Sequence, residues 1–224
     1  MMKVVRPVLQ LAALLLPWRL RRQFLVKLLG WDIHPRASIG LAFLDVDMLV
    51  MGARSRIGHF TYARHVAKIT LGTGAVIGRQ NWISGFPVGS NVAFADCGRN
   101  PTLVVGDEAA ITNGHRIDCT DGIHIGAFTT VAGWATQFVT HSIEVRSARQ
   151  RCAPIVIGKY CFIGTRSILL KGAALPDYSV LGAGSTLAHA YAEPYGLYSG
   201  VPATRQKNLD STYVYFTRQS GPCW

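Results

Sequence analysis

Seven histidines and five cysteines are the side chains of this 224-residue chain that could move protons or attack an electrophile near neutral pH. The cysteines, Cys97, Cys119, Cys152, Cys161 and Cys223, form no CxxC pair and sit in no nucleophile motif, which disfavours covalent thiol chemistry. Their odd number argues against a disulfide framework and suits a reducing compartment. A histidine can take a proton from an attacking group and return it to a leaving group. Position must therefore decide among His34, His59, His65, His115, His124, His141 and His189. His34, His59 and His65 lie early in the chain and His189 late. His124 stands between Ile123 and Ile125 and should point away from them, outward. His141 lies in a polar interruption, residues 135–153, that also carries Arg146, Arg149 and Arg151. A lone loop histidine is more often a solvated surface group than a base.

These residues are positioned by a repeat. In PIVIGKYCFIGTRSILLKGAALPDYSVLGAGSTLAHA, residues 154–190, aliphatic side chains recur every six positions at Ile157, Ile163, Leu169, Leu175, Leu181 and Leu187. That period suits neither an amphipathic helix nor an alternating hairpin strand. It suits a coiled β solenoid in which each unit makes a short strand and a corner, and three units close a triangular coil. Ile157 should then stack on Leu175, Ile163 on Leu181 and Leu169 on Leu187. Earlier, Ile39-Gly40 and Ile57-Gly58 are in the same register. Residues 86–102, FPVGSNVAFADCGRNPT, break the beat and read as irregular corners or a short loop. The beat returns at Val105, Ile111, Ile117 and Ile123, is re-phased by Ile125-Gly126 and Val131, and stops again after Trp134. An interruption at 135–153 must leave the solenoid wall as a loop.

The [Leu/Ile/Val]-Gly-x-x-x-x units, followed by SGVPA at 199–203, resemble the hexapeptide-repeat acyltransferases, and most of all the O-acetyltransferases of sugars and bacterial surface polysaccharides. The resemblance covers about residues 33–209. It implies an all-β, left-handed parallel β-helix and acyl transfer from acetyl-CoA to a sugar or glycan hydroxyl, without a metal. It also implies a homotrimer. In that family the catalytic histidine follows a re-phased coil and precedes a Pro-Ile-x-Ile-Gly unit, where His141 falls here. An Asn and an Asp eight residues apart before an Ile-Gly unit correspond to Asn113 and Asp121, the first toward the acceptor or oxyanion and the second toward acceptor hydroxyls. Both residue types also favour corners for their own sake. His115, two residues from Asn113, is the rival base. Phe162, Gly164, Thr165, Ala183, Gly184 and Ser185 match the family's pantetheine groove, with Phe162 where the family has a Trp. The family's Lys-Asp pair after Gly-Ser is absent, which leaves Arg205 and Lys207 as candidates for the CoA phosphates by charge.

Three other functions stay in view. The acceptor could be an amine on an amino sugar or antibiotic. The solenoid could be a catalytically silent scaffold. A zinc carbonic anhydrase of this fold is disfavoured, because positions five from His141 are Thr136 and Arg146 rather than histidines.

A net charge of +11 and a pI near 9.8 ask for an anionic partner, and no nucleic-acid-binding signature accompanies them. One domain is expected, with a helical segment at 1–32, the β-helix at 33–209 with its excursion at about 135–153, and a tail at 210–224. The apolar run in residues 7–18 is too short to span a membrane and lacks a cleavage site. A helix starting at Pro17 would align Leu20, Phe24 and Leu28, with Arg19, Arg22 and Lys27 able to reach lipid phosphates. The same face could instead cap the open end of the solenoid, and both can hold. A cytosolic protein is the expectation, and the membrane-contact reading would make it peripheral on the inner face of the cytoplasmic membrane. The charged and aromatic tail reads as loosely packed.

Overall fold

The computed structural model describes residues 2–87, 92–94 and 96–221; Cys223 and the end of the tail lie outside them. The chain winds through three flat walls. Wall A carries Ile123–Ile125 and Ile155–Ile157, wall B carries Thr130–Val131 and Phe162–Ile163, and wall C carries Arg116–Asp118, Gln137–Val139 and Ile168–Leu170. Each strand pairs in parallel with its counterpart one coil away. The result is a left-handed parallel β-helix. Among the described residues, walls A and C merge into one 12-stranded sheet, because Phe43–Met51 and Tyr62–Leu71 bend around the corner without a break.

The six-residue beat becomes register. Ile157 pairs with Leu175, Ile163 with Leu181, Leu169 with Leu187, and Ile39 with Ile57. All are 5% exposed or less, and burying each contributes about 1.5–3 kcal/mol. The following glycines let the corners stack: a Cβ on Gly164 would lie 2.4 Å from the Ala183 amide nitrogen of the next coil.

The first coil has nothing beneath it, and an unpaired backbone group costs about 1–3 kcal/mol when buried. Two helices supply the missing partners, α1 (Met2–Ala13) and α2 (Trp18–Leu29), the second beginning just after Pro17. Gln10 bonds both the N–H and the C=O of Leu44 at 3.0 and 2.6 Å. Trp18 donates to the Ala37 carbonyl, Arg21 to Gly40 and Ala42, and Arg22 to Ile33. Leu25 and Trp31, each 2% exposed, plug the core. The cap is thus present, built on Trp18, Arg21 and Leu25 with partly buried Phe24 packed against the core, while Leu20 and Leu28 stay exposed. Arg22, expected among lipid phosphates, is committed to the solenoid edge. Among the described residues no helix is long and apolar enough to cross a membrane.

The tail is not loosely packed. Phe128, Tyr160, Tyr178 and Tyr195 form a column of stacked rings at the corner between walls A and B, with centroids 4.6, 5.4 and 4.8 Å apart. The tail runs back along this column. Arg218 lies over the Tyr215, Tyr160 and Phe128 rings, Phe216 is buried edge-on against Tyr178 and Tyr195, and the Gly221 amide reaches Glu108. A ladder of ring faces created by the repeat is what its charges and aromatics pack on.

Two excursions leave the solenoid, not one, and both depart from the corner between walls C and A. The first departs after Trp82–Ser84 and returns at Thr102–Val105, and its described residues include a 3₁₀ turn at Val92–Phe94. The second is an antiparallel hairpin of His141–Glu144 and Arg149–Cys152. It is narrower than 135–153, because Gln137–Val139 stays in wall C, with buried Phe138 between Ile117 and Leu169. Arg149 bridges the excursions, 2.6 Å from Asp96.

Candidate functional site

Wall C strands end at the corner from which both excursions depart. Asp118, the last residue of Arg116–Asp118, alternates with buried Ile117 and so faces outward. One coil on, Gln137–Val139 ends beside it, and Thr140 and His141 follow. His141 Nδ1 is 2.7 Å from Asp118 Oδ2. The carboxylate is held on every side. Its Oδ2 also accepts from the Thr140 amide at 2.9 Å, and its Oδ1 from the Thr120 amide and hydroxyl at 3.0 and 2.6 Å.

This arrangement sets tautomer and charge. Asp118 accepts the Nδ1–H, which leaves the Nε2 lone pair to take a proton. The hydrogen bond that His141 donates to Asp118 raises the histidine's pKa, with burial opposing. Burial would raise the Asp118 pKa, but the hydrogen bonds from His141 and Thr120, with the histidine's charge, hold it below the usual carboxylate range. The imidazole is 28% exposed and flanked edge-on by Phe86 and Phe94, with centroids at 5.4 and 5.9 Å. Both phenylalanines come from the first excursion, and Arg99 fixes them by stacking on Phe94 and donating to the Phe86 carbonyl. A histidine–carboxylate pair in an aromatic recess at a corner can perform general acid–base chemistry.

The other candidates fall in two groups. Asp121 lies near this corner, but its Oδ1 accepts from the Asn100 and Gly122 amides and holds the turn. Asn113 sits on the opposite edge of wall C, at the corner between walls B and C, where its Oδ1 accepts from the Arg79 amide. From Asn113 to Asp118 is a strand's run, on the order of 15 Å at about 3.3 Å per residue. His115 is fully buried; its Nδ1 accepts from the Thr136 amide, its Nε2 meets the Thr112 hydroxyl, and burial pushes its pKa down to about 4. Both nitrogens serve the core. His124 points outward from wall A, between buried Ile123 and Ile125.

Of the residues matched to a cofactor groove, Gly164, Thr165, Ala183 and Gly184 share Asn113's ridge. Thr165 follows Gly164 there and bonds the backbone of exposed Trp134, while Ala183 and Gly184 are exposed one coil further. Open space surrounds the position a Cβ on Gly184 would take. Ser185 is buried, its hydroxyl accepting from the Gly200 amide. Phe162 lies on wall B against Tyr215 of the tail. Arg205 is occupied by Glu193 and the Pro194 carbonyl, whereas Lys207 is exposed. Among the described residues no group of three or more His, Cys, Asp or Glu could hold a metal.

Sequence reasoning missed three residues. Asp118 carried a signal, being an outward carboxylate at the last wall position before a corner from which excursions leave. Phe86 and Phe94 carried none, since only folding brings the first excursion onto the second.

No family model matches this chain. Solved structures do. The polysialic-acid-specific acetyltransferase NeuO is similar at a TM-score of 0.54 and 13% identity, over 80% of this chain and 81% of that one. The polysialic acid O-acetyltransferase OatWY gives 0.53 and 17%, over 80% and 84%. AntD, an N-acyltransferase from Bacillus cereus solved with dTDP-4-amino-4,6-dideoxyglucose and coenzyme A, gives 0.50 and 15%, over 88% and 92%. A hexapeptide-repeat-containing acetyltransferase from Vibrio cholerae is 26% identical at a TM-score of 0.45, and the chain spans 63% of its length. In fold, the chain is similar to the acyltransferases NeuO, OatWY and AntD.

Proposed function

We propose that this protein is a CoA-dependent O-acetyltransferase that moves an acetyl group from acetyl-CoA to a sugar hydroxyl, in assembly of a cell-surface polysaccharide or glycolipid. The observation that carries this reading is the His141–Asp118 pair, with Nε2 left open in the recess of Phe86 and Phe94. In this reading His141 Nε2 takes the acceptor hydroxyl's proton as the oxygen attacks the thioester carbonyl. The tetrahedral intermediate collapses, the C–S bond breaks, and the proton passes to the leaving thiolate. Asp118 stabilises the imidazolium between these steps.

Direct attack fits the thiols. Burial raises the pKa of Cys119 well above the usual value and that of Cys161 to about 12, and burial with neighbouring Cys97 raises that of Cys152, which disfavours a thiolate at all three. NeuO and OatWY, both named as polysialic acid acetyltransferases, favour a hydroxyl acceptor. A glycan also suits wall C, where Phe43, Tyr62 and Trp82 stack outward in a row in register with Arg116, two residues before Asp118 on its strand.

The base and the Thr165–Gly184 ridge lie on opposite edges of wall C. A homotrimer with grooves between neighbouring solenoids would set one chain's ridge beside another's His141, and Trp134 would then wall the groove. Asn113, on that ridge, would face the acceptor or oxyanion from the neighbouring chain.

The test is thiol release from acetyl-CoA on addition of glycan acceptors, followed by mild alkali. An alkali-labile acetyl group supports the ester. An alkali-stable product would make the acceptor an amine, and absence of both coenzyme A binding and turnover would make the solenoid a scaffold.

A further inference from the structure

The capping helices use one side for the solenoid and leave the other uncovered. On α1 and the turn after it, Val8, Leu11 and Leu15 follow helical spacing and are 65, 56 and 89% exposed. Leu20 and Leu28, on one stripe of α2 with partly buried Phe24, are 54 and 52% exposed. Six exposed aliphatic side chains, counting Leu16, are thus held at the blunt end of a rigid prism. They cannot collapse inward, because Gln10, Trp18, Arg21 and Arg22 pin the helices to the first coil.

Charge selects the occupant. Residues 1–31 hold Lys3, Arg6, Arg19, Arg21, Arg22 and Lys27 and not one Asp or Glu. Arg21 and Arg22 serve the cap, while Arg19 and Lys27 are exposed beside Leu20 and Leu28. A second copy docking end to end would set these two basic helices against each other. An aqueous protein partner would have to cover aliphatic side chains and bring acid as well. An anionic lipid surface meets both needs at once, taking the leucines below the headgroups and the basic side chains at the phosphates. Each helix is 12 residues long, so the pair lies in the interface rather than crossing it.

We infer that the α1–α2 cap is a peripheral membrane anchor, which docks the N-terminal end of the solenoid on anionic bilayers through Leu11, Leu15, Leu20 and Leu28 with Arg19 and Lys27. The solenoid axis then rises from the membrane. This inference stands without the acetyl-transfer reading, since none of its residues belongs to the site.

Co-sedimentation of the full chain with vesicles tests it. Binding to mixed phosphatidylcholine–phosphatidylglycerol vesicles is expected, with much weaker binding to phosphatidylcholine alone and a decline as salt rises. Arg19→Glu with Lys27→Glu should lower partitioning at least tenfold, as each basic side chain near an anionic surface contributes a factor of about five. Leu11→Ser with Leu15→Ser should lower it by about tenfold or more. Both variants should keep the far-ultraviolet circular dichroism and melting transition of the parent, because the changed side chains are exposed. No vesicle binding by the parent, or binding unaltered in both variants, overturns the inference. So does light scattering in which the leucine variant loses self-association instead, which would make a second copy the occupant.

Discussion

Asp118 and His141, 23 residues apart in sequence, meet at 2.7 Å because the intervening coil returns Gln137–Val139 to the side of Arg116–Asp118. Neither residue is fixed by its neighbours alone. The wall places the carboxylate, the first residue of the hairpin places the imidazole, and Thr120 and Thr140 orient the carboxylate between them.

The pair sets a pH dependence. His141 must be neutral to act as a base, and its hydrogen bond to Asp118 raises its pKa, so activity should rise with pH through a limb above the usual histidine range. Asp118→Asn removes the carboxylate's charge, and burial then acts on the imidazole without it. The acid limb of kcat/KM should move to lower pH, while kcat falls by less than the about 10²- to 10⁴-fold attributable to the base. A limb that stays in place would show that another group titrates.

His115 should behave as a core residue. Its ring is buried, with the Thr136 amide on one nitrogen and the Thr112 hydroxyl on the other. His115→Ala leaves a cavity and unpaired polar groups, a loss of about 2–4 kcal/mol of stability, read as a lower melting temperature. Turnover per folded molecule should fall far less than in His141→Ala. His124→Ala, outside wall A, should change stability by less than about 0.5 kcal/mol and turnover not at all.

Trp82 offers a test of the acceptor. Its ring is 47% exposed, 4.5 Å from Tyr62, with Arg116 stacked on it. An aromatic stacking contact is worth about 0.5–1.5 kcal/mol, so Trp82→Ala should raise KM for a polymeric glycan by about 2- to 10-fold. KM for a single sugar unit, and kcat for either, should stay nearly constant. Equal effects on short and long acceptors would place the glycan elsewhere.

The solenoid was legible because its core is one aliphatic side chain wide per wall, so the six-residue beat that stacks Ile157 on Leu175 is written directly in the chain. The outward bearing of His124 followed from the same alternation. What escaped were contacts between coils and excursions. The family resemblance points to Asn113 and Asp121, yet a motif match does not say which corner of a triangle a residue occupies, and they lie toward opposite edges of wall C. Phe94 reaches His141 through a loop with no periodicity. The tail read as loose because the column of Phe128, Tyr160, Tyr178 and Tyr195 appears only when coils stack.

The central claim is that His141, oriented by Asp118, is the base for direct acyl transfer. Steady-state turnover of His141→Ala, measured as thiol release from acetyl-CoA beside the dissociation constant for coenzyme A, tests it most directly. The account predicts a kcat lower by about 10²- to 10⁴-fold and an almost unchanged dissociation constant, since the base meets the reacting end of the cofactor only. Near-normal kcat in that variant, with the fold intact, would contradict it.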